Sequence, residues 1–183
     1  TSGNWSTNQT VTATGVDDSL DDGNIAYSIV LAAATSSDTN YNTLNPNDVS
    51  VTNIDGDTAG ATISESNSST TVSEGGITDT YTLVLTSQPT ANVVITVTGN
   101  TQVTPTPTSL TFTAANWSTT QTVTATAIRD AVVEGAHTGT ITHTAASSDP
   151  SYNGVSISSV TVNITDNYKP TANAGSDTTI AEA

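Results

Sequence analysis

Apolar residues recur at every second position through the centre of the chain. Tyr81, Leu83 and Leu85 alternate with Thr82, Val84 and Thr86. Val93, Ile95 and Val97 repeat the pattern. Leu110 with Phe112, then Val123, Ala125 and Ala127, then Ile141, then Val160, Val162 and Ile164 continue it. A period of two buries one face of each strand. SEGG, TSQPT and TGNT separate the runs with turn-forming residues. No stretch carries a 3.6-residue period. About seven short strands in roughly 110 residues predict a two-sheet sandwich, large enough to bury its own core.

The chain also repeats itself. NWSTNQTVTATGVDDSLDDG, from Asn4 to Gly23, returns 112 positions later as NWSTTQTVTATAIRDAVVEG, from Asn116 to Gly135. Asp18 falls on Asp130, Asp22 on Glu134 and Gly23 on Gly135. After a one-residue deletion, Ser36-Ser37-Asp38 matches Ser147-Ser148-Asp149, and Tyr41-Asn42 matches Tyr152-Asn153. Both copies close on a Val-rich strand and an acidic end, VSVTNIDGD (Val49 to Asp57) and SVTVNITDN (Ser159 to Asn167). The expected organisation is the C-terminal half of a repeat at 1–57, a complete repeat at 58–167, and a linker into the first strand of a further domain at 168–183. The expectation is a window on a longer repetitive polypeptide, with strand donation from a neighbouring chain as the second reading.

Charge narrows the partners. Seventeen acids stand against two bases, a formal charge of −15. Such a chain repels nucleic acid and anionic membranes and attracts cations. Only 10% of residues are charged, so the polar mass is Thr, Ser and Asn, and Thr with Val favours strands over disorder. Cysteine is absent, which removes disulfides and thiolate chemistry. A Thr- and Asn-rich, Lys-poor chain fits an extracellular or cell-surface protein, with export signals expected outside this segment. No run approaches the roughly 18 apolar residues of a membrane span, so no membrane insertion is expected here.

The acids gather where strands end. The second copy has Glu74 in SEGG, Asp130 and Glu134 in RDAVVEG, and Asp166 in TDN. The first has Asp17, Asp18, Asp21 and Asp22 in DDSLDDG, then Asp55 and Asp57 in IDGD. An isolated loop acid ordinarily solubilises the surface. Four acids within six residues repel one another and call for a counterion. Ca²⁺, which takes six to eight oxygens, suits loops converging on one end of a sandwich.

These residues carry a resemblance. ATISE, SEGG, DAVVEG after a TVTATAI strand, and the closing VTVNITDN together resemble a Calx-beta repeat, an immunoglobulin-like sandwich of sodium–calcium exchangers and bacterial surface proteins. The resemblance implies an all-β fold of tandem immunoglobulin-like β-sandwich repeats and structural Ca²⁺ at the joints between them. Its implied ligands are Glu74, Asp130, Glu134 and Asp166 with Asn167, and Asp18, Asp22, Asp55 and Asp57 in the first copy. TGNTQVTPTPTSL lacks an acid that members of the family often add, and Arg129 stands where the first copy has Asp17. PTANAGSDTTI similarly resembles the opening strand of a PKD-type sandwich.

Other features read as structural. Trp5 and Trp117 share one repeat position and fit an inter-sheet filler better than a sugar platform. His137 and His143 lie six apart, on one strand face, and as a pair make a weak transition-metal site. Thr-x-Thr runs are outward strand positions more than an ice-binding ladder. Five Asn-x-Ser/Thr sequons, at Asn4, Asn8, Asn67, Asn116 and Asn163, are within the chance yield of this composition. No G-x-S-x-G, H-E-x-x-H or phosphate loop is present, so a non-enzyme is expected. The only lysine, Lys169, lies in the linker, away from any core crosslink. The function that follows is a structural or adhesive region of a large surface protein. Its partners would be neighbouring repeats and, in a fibre, identical chains. A self-assembling filament subunit and a spacer or carbohydrate-binding region of a secreted hydrolase are the alternatives.

Overall fold

Strands supply the regular structure of residues 3–167, the residues described by the computed structural model of this chain, with one 3-10 turn at Ser66–Ser68. The chain divides into two compact units between Thr58 and Ala59. The strand expected within 168–183 lies outside the described residues. Among those described, no helix is long and apolar enough to cross a membrane.

The first unit contributes a hairpin of β1 (Ile25–Ile29) and β2 (Val49–Asn53). The second contributes β3 (Ala61–Glu65), β4 (Thr70–Ser73), β5 (Asp79–Leu85), β6 (Val93–Gly99), β7 (Val103–Thr106), β8 (Ser109–Phe112), β9 (Gln121–Ala127), β10 (His137–Ser147) and β11 (Val160–Thr165). They form a five-stranded sheet, β4-β11-β10-β6-β8, and a four-stranded sheet, β3-β5-β9-β7. The fold is therefore an all-β sandwich. The 3-10 turn carries the chain from β3 in one sheet to β4 in the other, where β4 runs parallel to β11. Every other pairing is antiparallel.

The alternation read from the sequence is the pleat of this sandwich. Leu83, Val93, Ile95, Phe112, Val123, Ala125, Ile141 and Val162 are fully buried between the sheets. Their Thr neighbours face outward. Three elements escaped the alternation. β3 and β4 are short, and β7 contains Pro105, which cannot donate to a ladder and is accommodated because β7 is an edge strand. β10 is longer than Ile141 alone indicates, because its core positions include Gly139 and His143. A Cβ at Gly139 would come within 2.9 Å of Val103 Cγ1, so that position is reserved for glycine by close packing.

In the first unit β1 pairs with β2 from Ile25↔Asn53 to Ile29↔Val49. This is the register of His137↔Ile164 to Ile141↔Val160 in the second. The loops after these strands agree bond for bond. Asp38 and Asp149 each accept a backbone bond from the residue four on, Asn42 and Asn153. Each donates its own N–H to a serine Oγ, that of Ser36 or Ser147. The copies part elsewhere. QTVTAT is β9 in the second unit, paired on both edges by β5 and β7. In the first it forms no strand, and Val11 is 85% exposed. A strand without neighbours leaves its backbone to water and has nothing to pack on. The two tryptophans differ for the same reason: Trp117 packs against the core, and Trp5 is exposed.

Tyr152 closes the second unit. Its buried hydroxyl accepts from Ser87 N at 3.0 Å and donates to Ser87 O at 2.6 Å. Tyr152→Phe strands a buried donor and acceptor and should cost roughly 1–3 kcal/mol in denaturant unfolding. Tyr41→Phe, at the equivalent but exposed position, should leave stability unchanged. Asp149 is buried too. Desolvation raises its pKa, but hydrogen bonds from Thr90 and Ser151 outweigh this and hold it below the ordinary 3.8. A depressed carboxylate contributes stability above its unfolded pKa and loses it as pH falls through the folded one. Acid titration of unfolding should therefore show a loss below about pH 4 that Asp149→Asn removes.

Candidate metal centres

In the second unit the end of β4 enters the SEGG turn. Ser73 Oγ accepts from Ile77 N at 2.9 Å, and Gly75 takes φ +61°. Glu74 N donates to Thr165 O, the last residue of β11, at 3.1 Å. That bond fixes Glu74 where the parallel pair ends. Across from it, Gly135 takes φ +70° and turns the chain into β10. Asp166 Oδ2 accepts from Glu134 N at 2.8 Å and from Gly135 N at 3.1 Å. The end of β11 thereby clamps the turn that carries Glu134.

The clamp brings three side chains together. Glu74, Glu134 and His137 place one ligand atom each within 4.8 Å of one another. His137 Nε2 lies 3.4 Å from Glu134 Oε2 and 4.0 Å from Glu74 Oε1. Glu134 Oε1 is occupied by Gln102 Nε2 at 3.1 Å, leaving Oε2 for the cluster. Glu74 is only 1% exposed, and neither of its oxygens has a hydrogen-bond partner. The other buried polar side chains, Thr70, Ser87, His143 and Asp149, each have one. A buried carboxylate without a donor is costly, and the three ligand atoms together could hold a metal ion.

Asp130 and Asp166 stand outside the cluster. Asp130 Oδ1 accepts from Val132 N at 2.7 Å, shaping the loop, and Asp166 is the clamp. Arg129 lies along Gly75 and, among the described residues, forms no ion pair with the acids.

In the first unit Asp17, Asp18, Asp22, Asp55 and Asp57 line one small hollow. Asp55 repeats the clamp: its Oδ2 accepts from Gly23 N at 2.6 Å, with Gly23 at φ +81°. Its Oδ1 accepts from Asp57 N at 2.8 Å. The bonds from Asp57 and Gly23 hold its carboxyl below the ordinary value. Asp57 shifts the other way. Desolvation, then the charges of Asp17, Asp55, Asp18 and Asp21, push it up. No three of these acids bring ligand atoms within 4.8 Å of one another. The hollow is wider than the second unit's cluster, and its acids repel across it.

His137 and His143, a weak transition-metal pair by spacing, do not share an ion. Six residues along a strand span about 20 Å, too far for one ion. His143 is satisfied in the core: Nδ1 donates to Ser158 O at 2.8 Å, and Nε2 accepts from the Tyr81 hydroxyl at 2.9 Å. The usable signal was the His three residues after Glu134, at the first position of a strand that begins beside Glu74.

No protein-family model matches the chain, so the resemblance to Calx-beta and PKD repeats rests on the residues quoted above. No curated protein matches it. Among solved structures, domains 4 and 5 of the S-layer protein SbsC align with 65% of this chain and 59% of their own length, at 19% identity and TM-score 0.34. Domains 1–6 of the surface layer protein SbsC align with 82% of this chain and 21% of theirs, at 18% identity and the same TM-score. The chain thus spans less than two thirds of either, and a likeness of this size carries no argument about fold or function.

Glu74→Gln separates the charge of this carboxylate from its packing. In cation-free buffer the new amide donates to Glu134 or His137, and the unfolding midpoint should rise, by roughly 1–3 kcal/mol in stability. With a saturating divalent ion the order should reverse, the wild type becoming the more stable.

Proposed function

We propose that the chain is a structural repeat region of an extracellular or cell-surface protein, built from β-sandwich units whose strand-end acids hold divalent cations. The duplicated clamp carries this reading: Gly23 to Asp55 and Gly135 to Asp166, one bond built twice in matching registers. A catalytic centre needs its groups once. A scaffold copies its unit, and the copied detail here is the support for an acid-bearing turn. The units extend or adhere, and their partners are neighbouring repeats and, in a fibre, identical chains.

Ca²⁺ fits the oxygen-only donors of Asp18, Asp22, Asp55 and Asp57; in the second unit Glu74 and Glu134 share their cluster with His137, and Asp130 and Asp166 serve backbone amides. Extracellular sites of this class bind at roughly 10⁻⁴–10⁻³ M. At about 100 times the dissociation constant an ion adds about 2.7 kcal/mol. The role is structural, tying together the loops at the end of each unit.

Thermal unfolding of the whole chain in EDTA and in millimolar Ca²⁺ tests this, beside Asp22→Asn/Asp57→Asn, which leaves the Gly23–Asp55 bond intact. Ca²⁺ should raise the midpoint, and the double variant should lose much of the rise. A rise reproduced by NaCl at matched ionic strength would reduce the acids to a solvated rim.

A further inference from the structure

We propose that His137 is a metal ligand through Nε2, making the second unit's cluster a mixed nitrogen–oxygen site that prefers a borderline transition-metal dication of the Zn²⁺ class to Ca²⁺. The inference rests on the reading that these clusters take cations, and it names the ion for one of them.

The tautomer is decided by His137 Nδ1, which lies 2.9 Å from Gly135 O. A carbonyl only accepts, so Nδ1 carries the proton. In the neutral ring Nε2 is then a bare lone pair. It is buried, has no hydrogen-bond partner, and faces Glu134 Oε2 and Glu74 Oε1. With the ring neutral, three acceptors converge with no donor among them. A backbone carbonyl on the far nitrogen is the usual support of a metal-bound imidazole.

The spacing agrees. Ligands about 2.1 Å from a tetrahedral Zn²⁺ lie about 3.4 Å apart, and Glu134 Oε2 is 3.4 Å from Nε2. Glu74 Oε1, at 4.0 Å, closes the set with a small movement, and the exposed side of Glu134 leaves room for water as a fourth ligand. Two carboxylates and one imidazole are too few and too soft for Ca²⁺, which wants six to eight oxygens. The repeat isolates the difference: the first unit has Ile25 where the second has His137, so its hollow offers oxygen alone.

The test uses the whole chain stripped with EDTA, titrated calorimetrically with Zn²⁺ and separately with Ca²⁺, in the wild type, His137→Gln and Glu74→Gln. One Zn²⁺ should bind, and each substitution should weaken it at least tenfold while leaving the Ca²⁺ response lost in Asp22→Asn/Asp57→Asn unchanged. Co²⁺ on the wild type gives a readout independent of how the variants fold. The Nδ1 proton of a ligated imidazole should appear as a strongly shifted proton resonance, and His143, with both nitrogens engaged, does not compete. Zn²⁺ binding unaffected by His137→Gln, or no shifted imidazole resonance, overturns the proposal. Ca²⁺ held in this cluster more tightly than Zn²⁺ overturns it too, yet leaves the structural Ca²⁺ reading standing. No cation bound by either unit overturns both.

Discussion

A carboxylate buried to 1% exposure with no donor on either oxygen is the constraint around which one end of the second unit is organised. The effective penalty for an uncompensated buried ion is several kcal/mol, a large share of the 5–15 kcal/mol that keeps a domain folded. The backbone offers Glu74 no escape, because its N–H is tied to Thr165 O at the end of the β4–β11 pair. What approaches it is another carboxylate and the Nε2 of His137. The second carboxylate adds negative potential beside the first, and the Asp166 clamp holds the turn that carries it.

The two units show how one scaffold carries different donor sets. Asp55 and Asp166 make the same bond to the glycine that ends each acidic turn, so the backbone support is shared. What differs is the side chains hung on it. The first unit crowds acids around Asp57 and relies on charge density. The second has fewer acids, with one buried and a histidine at the position of Ile25. Mutual repulsion in an open hollow suits a large hard ion with water among its ligands, and a tight three-atom cluster suits a smaller one.

Much of the sandwich was legible because burial on one face leaves a period-two record, as in Tyr81–Leu85 and Val93–Val97. It failed where packing demanded residues that break the record. Gly139 and His143 occupy core positions of β10, one for lack of space and one because Tyr81 and Ser158 satisfy its ring. The repeated text exposed the clamp's residues, Asp55 with Gly23 and Asp166 with Gly135, without indicating that these acids serve backbone amides. Charge alone made every strand-end acid equivalent. Depth below the surface, which sequence does not carry, separates Glu74 from Asp130. The same depth turns His137 from one of a distant pair into the neighbour of two carboxylates.

The position of these acids also limits what an ion does. Val93, Ile95, Phe112 and Val162 belong to one apolar core that includes none of these acids, so the second unit has a packed interior of its own, unlike a zinc finger. An ion bound by Glu74 and Glu134 would link the SEGG turn to the turn before β10. The first unit is placed differently. None of its described residues is buried, and a two-stranded hairpin is marginal by itself. The desolvation and, after it, the neighbouring charges that raise the Asp57 pKa therefore oppose a smaller store of stability, and a bound cation would matter more here. The same acidic turn that trims the end of a well-packed sandwich becomes, beside a hairpin, a principal term in whether the strands stay paired.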